Sequence, residues 1–136
     1  MTLPIFFLLH PVSIGTTRAM NVASAKLWLR ALIDAIPNIV IAAPWIPYAE
    51  TMIDRERGLR DAIAALERAD GVVAVGGEFS RGMILEWKRA GELGKTQIDL
   101  TRPPMPGILT PETFGETRTP TFQTAVIEAF TMRRAA

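Results

Sequence analysis

Ser80, Gly82 and Glu86 form a Ser-x-Gly-x-x-x-Glu pattern just after the apolar run Gly71-Val72-Val73-Ala74-Val75 and the pair Gly76-Gly77. A serine at such a point caps a helix, its hydroxyl accepting a backbone N–H that has no partner within the helix. A helix start carries free N–H groups and a partial positive charge, so it suits a phosphate or another anion. Gly82 lies in the first turn, where the missing side chain lets a ligand approach the backbone. Glu86 follows four residues later, on the same helix face. A carboxylate therefore stands one turn from an anion site at the carboxyl end of a strand, where open α/β sheets bind ligands. The same residues also have plain readings: a solvent-facing Glu86, a purely structural Ser80 cap and a simple Gly76-Gly77 turn.

Other residues with useful chemistry are scattered. His10 is the only histidine and closes the first apolar run; it is either a satisfied core residue or part of a pocket facing the Gly77 loop. With no histidine cluster and no cysteine, no metal site is expected. No glycine-rich phosphate loop followed by lysine is present, which argues against a nucleoside triphosphatase. Arg18 ends the stretch Gly15-Thr16-Thr17-Arg18 and either pairs with a phosphate or is solvated. Trp45 and Tyr48 either stack on a base or sugar or plug the core. Asp54 is positioned to cap a helix, Asp70 to close the connection into the Gly71 run, and Asp61 either reaches the site or is exposed.

The elements that must position these groups follow from the apolar pattern. Residues 4–10 are nearly all apolar and read as the first, central strand of a parallel sheet. Residues 11–17 form the loop at its carboxyl end. Residues 21–36 have helical spacing, with Ala25, Leu29, Leu32 and Ile36 on one stripe, and Pro37-Asn38 ends them. Residues 39–43 are a second strand. Residues 44–48 hold two prolines and read as a loop. A helix over 54–69, with Leu59, Ile63 and Leu66 inward, a strand over 71–75, a helix over 81–93 and a strand over 95–100 complete the alternation. That alternation predicts a parallel α/β sheet with right-handed crossovers, in the order 2-1-3-4, with the site loops gathered at the carboxyl ends. Residues 102–118 are proline-rich and read as a surface loop, with room for a short fifth strand around Ile108. Residues 120–133 read as a final helix, with Phe122, Val126 and Phe130 at i, i+4 and i+8.

Bulk properties narrow the class. At 136 residues the chain suits a single domain with its own core. A net charge of +1 makes no electrostatic case for a nucleic-acid or membrane surface. The lack of cysteine excludes disulfides, thiolate zinc and a cysteine nucleophile, and fits a reducing cytosol. The apolar residues 4–9 are too few to span a bilayer and have no basic segment before them, so they read as a strand and not a signal peptide.

Taken in order, these motifs resemble the nucleoside 2-deoxyribosyltransferase superfamily, which includes the 2′-deoxynucleoside 5′-monophosphate N-glycosidases and a branch common in phages and actinobacteria. The matching pieces are His10-Pro11-Val12, Asn21, Ala43-Pro44-Trp45, Glu56-Arg57-Gly58-Leu59, Leu66-Glu67-Arg68-Ala69-Asp70 and, most specific of all, Ser80-x-Gly82-x-x-x-Glu86. The resemblance covers the chain to about residue 100. It implies a flavodoxin-like three-layer sandwich and a homodimer or larger homo-oligomer in which a neighbour completes the pocket. It implies that Glu86 is the nucleophile, that Ser80 and Gly82 form the turn holding a nucleotide phosphate, and that the loop from Pro11 to Arg18 wraps sugar and phosphate. The chemistry it implies is that of a retaining glycosidase, in which a carboxylate attacks the anomeric carbon as the base departs. An acid must protonate that base.

Two positions depart from the family pattern. Ala62 stands where an aspartate is usual, and the nearest carboxylate, Asp61, points about 100° away round the helix. His-Pro replaces the more frequent Gly-Pro or Gly-Ser after the first strand. The expectation is a cytoplasmic enzyme without cofactor that cleaves or exchanges the base of a nucleoside or nucleotide. Its catalytic residues would be Glu86 and Asp61, and its ligand contacts His10, Pro11, Arg18, Trp45, Gly77, Ser80 and Gly82. The final helix, Trp28 or the Trp45 loop would join two copies. The alternative is a non-catalytic nucleotide-binding module using the same pocket.

Overall fold

The computed structural model describes residues 2–12, 18–51, 54–101 and 110–111. The proposed short strand at Ile108 and the final helix lie outside them, as does most of the loop over 102–118. Four strands, β1 (Ile5–Leu9), β2 (Val40–Ala42), β3 (Gly71–Ala74) and β4 (Thr96–Asp99), form one sheet in the order 2-1-3-4, every pair parallel. The helices are α1 (Arg18–Ala35), α2 (Ile46–Glu50), α3 (Arg55–Leu66) and α4 (Arg81–Glu92). This is the flavodoxin-like arrangement expected from the alternation.

The register explains why β1 and β3 lack polar residues. Phe6 pairs with Gly71 and Leu9 with Ala74. Successive side chains enter opposite faces, and both faces are covered. Phe6, Leu8, Val73 and Ile98 join Trp28, Leu32 and Ile36 in one apolar cluster. Phe7, Leu9, Val72 and Ala74 join Ala62, Leu66, Met83 and Ala90 of α3 and α4 in the other. Trp28 is only 2% exposed, so it is a core residue and not a surface for a second copy. Leu29 is half-buried, whereas Val22 and Trp28 turn fully inward, which widens the expected stripe of α1. Likewise Ala62 is buried beside Leu66 in α3, while Leu59 and Ile63 are only half-buried.

Local signals set the element ends. Asp54 accepts the Glu56 N–H at 3.2 Å, capping α3 as expected. Asp70 accepts the Ile5 N–H at 2.7 Å, which fastens the entry of β3 to the start of β1. Asn38 takes a left-handed φ of 67° just after α1. A further expectation fails: residues 44–48 are not all loop, because a short helix, α2, begins at Ile46 and runs to Glu50. Pro47 sits in its first turn, where a missing N–H removes no helical hydrogen bond, so this proline does not oppose helix there.

Candidate active site

The carboxyl ends of β1 and β3 open into a cavity of about 360 Å³. Its lining comes from the segment just after β1 (His10, Val12), from α2 and its N-cap (Trp45, Tyr48, Ala49), from α3 (Arg55, Gly58, Leu59, Ala62) and from α4 and its N-cap (Ser80, Arg81, Gly82, Met83, Glu86), with Arg18 from the start of α1. Of the residues singled out in the sequence, His10, Arg18, Trp45, Ser80, Gly82 and Glu86 therefore share one cavity. Pro11, Gly77 and Asp61 do not line it.

The α4 wall is built from its first turn. The Ser80 hydroxyl accepts the Met83 N–H at 3.2 Å, as expected for a cap, and the Met83 sulfur in turn accepts the Ser80 N–H at 3.5 Å. Phe79 and Trp87 meet edge to face with ring centres 5.3 Å apart. Met83, Glu86 and Ala90 form the buried stripe of the helix. Glu86 is thus carried inward by the same periodicity that buries Met83, and is 8% exposed. No hydrogen bond or ion pair joins its carboxyl to another described residue. Removal from water disfavours the charged form, and burial pushes the Glu86 carboxyl up to about 8.

Three arginines, Arg18, Arg55 and Arg81, line the same cavity as this carboxyl. Arg55 and Arg81 each occupy the first position of their helix, after the caps Asp54 and Ser80. Neither is ion-paired to another described residue. A cation at a helix start opposes the helix dipole; that conflict was the sequence signal for these two residues, which sequence reasoning did not single out. An anion held between the guanidinium groups and the α4 N-terminus would resolve it.

His10 is fixed in one form. Its Nδ1 is 2.7 Å from the Pro11 carbonyl, which can only accept, so Nδ1 carries the proton. Nε2, 2.9 Å from the Ser24 hydroxyl, is then the acceptor. Burial lowers the His10 pKa, which keeps the ring neutral. The ring lies close against Gly76, whose φ of 99° and neighbouring contacts admit no side chain without strain: an added Cβ would lie 2.8 Å from Pro11 Cδ and 3.0 Å from His10 Nε2. Gly77, with φ of 89°, completes the turn and is exposed. Pro11 is buried beneath it and shapes the loop rather than the cavity surface. Asn21, one of the motif residues, donates from Nδ2 to the Val12 carbonyl at 2.7 Å and holds the loop where it leaves the site.

The aromatic wall combines both readings of Trp45. The ring is buried, with its indole N–H donating to the Leu8 carbonyl at 2.8 Å, and it still lines the cavity. Tyr48 is half-buried and donates its hydroxyl to Asp61 Oδ2 at 2.9 Å. Asp61 also receives Arg60 at 2.9 Å, with Arg57 at 3.6 Å. Hydrogen bonds from Arg60 and Tyr48 hold its carboxyl below the usual range. Asp61 is thus a paired anion behind Tyr48, and Ala62 takes the place on the cavity surface. Among the described residues, no group of three or more His, Asp or Glu could hold a metal ion, and no helix is long and apolar enough to cross a membrane. No protein-family model matches this chain, and neither does any curated protein.

Proposed function

We propose that this protein binds a nucleoside or nucleotide and cleaves its N-glycosidic bond, or exchanges its base, with Glu86 as the nucleophile. The observation that carries the reading is the Glu86 carboxyl, buried, unpaired among the described residues and lining a cavity whose rim bears Arg55, Arg81 and the capped start of α4. The α4 turn and the two arginines would take a phosphate. Trp45 and Tyr48 offer aromatic surface to the base. In the reaction, a Glu86 oxygen bonds to the anomeric carbon as the glycosidic C–N bond breaks, and the base leaves with the electron pair and takes a proton from water. Water, or a second base, then displaces the glutamate and releases the sugar. The carboxyl must first lose its own proton, which burial holds on up to about pH 8; positive charge developing on the sugar favours the ionised form during attack.

A second reading, a binding module without catalysis, has one observation in its favour. Asp61 is tied to Tyr48, Arg57 and Arg60, and Ala62 faces the cavity, so the α3 wall offers no acid for the departing base. A homodimer or larger assembly in the cytoplasm belongs to the enzymatic proposal. Ile84 and Leu85, both about half exposed on α4, are apolar surface for a second copy, and light scattering at high concentration tests it.

The deciding experiment is incubation with a panel of nucleosides and 5′-monophosphates, with free base followed by chromatography. Release of base from at least one member supports the enzyme. No release, together with protection from heat by one member, supports the binding module.

A further inference from the structure

The chemistry of the α2–α3 wall points to a preference for one class of base. The Tyr48 hydroxyl has one proton to donate and two lone pairs to accept with. Its proton is committed to Asp61 Oδ2 at 2.9 Å. Asp61 is a firm acceptor because Arg60 and Arg57 hold it ionised, and a hydrogen bond to a charged partner is stronger than one between neutral groups. The bond to Asp61 also raises the phenol pKa, so the tyrosine keeps its proton. Tyr48 lines the cavity and Asp61 does not. What Tyr48 has left to offer a ligand is therefore an acceptor. Beyond the charged Arg55 at the start of α3, that wall presents Trp45, Ala49, Leu59 and Ala62, apolar or aromatic surface that suits a planar ring.

We propose that Tyr48 reads the base of the bound nucleotide as a hydrogen-bond acceptor, so that the site prefers bases carrying an amino group, and that Asp61 is the positioning residue that keeps the phenol in this role. The proposal rests on the reading of the cavity as a nucleotide site. It assigns Asp61 an indirect task, through Tyr48, in place of contact with the departing base. A ligand without a donor at that edge leaves the phenol oxygen unpaired once water is excluded, and such losses discriminate more sharply than a change in apolar fit.

The test uses two pairs of probes that differ only by the amino group. One pair is 2′-deoxyadenosine 5′-monophosphate with purine 2′-deoxyriboside 5′-monophosphate. The other is 2′-deoxycytidine 5′-monophosphate with its 2-pyrimidinone counterpart. Dissociation constants are measured by calorimetry on the full chain and repeated with Glu86→Gln, which prevents turnover. The wild type is expected to bind the amino member of at least one pair about tenfold more tightly. Tyr48→Phe should bring that ratio close to one while changing affinity for the member without the amino group little. Asp61→Ala frees the phenol to donate, so the ratio should fall or invert while Tyr48 is still present. Equal weakening of both members by Tyr48→Phe would reduce the pair to a strut between α2 and α3 and overturn the proposal. So would a wild type without preference in either pair, or one that binds none of the four probes. Preference without base release leaves this proposal standing and removes the glycosidase reading; base release without preference does the reverse.

Discussion

The Tyr48 hydroxyl donates to the Asp61 carboxylate across 2.9 Å, and this bond joins α2 to α3 along one wall of the cavity. Asp61 thus touches the site through another side chain, whereas Glu86 lines it directly. The two carboxylates should respond differently to loss of charge. Glu86→Gln keeps the shape but cannot form the glycosyl ester, so base release should fall about a thousandfold or more, with ligand affinity nearly kept. Asp61→Asn should cost less than about tenfold. Steady-state kcat/KM for each variant checks this; a Glu86→Gln protein that remains active removes Glu86 as nucleophile.

The protonation of Glu86 sets the pH profile. Burial raises its carboxyl to about 8, and the nucleophile must be ionised. The value of kcat/KM should rise about tenfold per pH unit below that point and level off above it, since this ratio reports the free enzyme. A profile that instead falls above pH 8 would make Glu86 the proton donor.

The same group links stability to pH. Between its ordinary value of 4.5 and the raised value of about 8, native Glu86 keeps its proton while the unfolded chain releases one. The unfolded state then binds fewer protons, so stability falls as pH rises through this window. Glu86→Gln removes the effect. Urea unfolding should find the variant more stable than the wild type at pH 9, by on the order of a few kcal/mol, with the gap closing towards pH 4.5.

Ser80 serves the helix and the proposed anion site together. Ser80→Ala leaves the Met83 N–H without its cap and should cost about 1 kcal/mol of stability. It should also weaken binding of a 5′-monophosphate more than of the matching nucleoside, as should Arg81→Ala. Calorimetry on the two ligands separates these effects, and equal losses for both would exclude a phosphate at α4.

Gly76 is the tightest point of the turn behind the site. Gly76→Ala meets both an unfavourable φ and the Pro11 and His10 side chains, and should destabilise by about 1–3 kcal/mol. Gly77→Ala has open space at its Cβ and keeps only the backbone strain, so thermal unfolding should show a smaller loss.

Much of the architecture was legible in the residues themselves. Apolar runs without alternation can only be satisfied by a sheet covered on both faces, which is why β1 and β3 were readable as neighbours at its centre. Caps are local, so Ser80 and Asp54 could be assigned from their own few residues. The spacing from Gly82 to Glu86 likewise determined a shared helix face. Tertiary structure decided everything that depends on distant chain segments. Whether Glu86 faced water or a cavity turned on how α4 packs against α3 and the sheet. Tyr48 and Asp61, thirteen residues apart, became a pair only when α2 folded over α3. Arg55 and Arg81 came to share a rim because two helices, each following its own strand, start at the same end of a parallel sheet. Periodicity fixes the direction of a side chain from its own helix; what it meets there is set by the packing of the others.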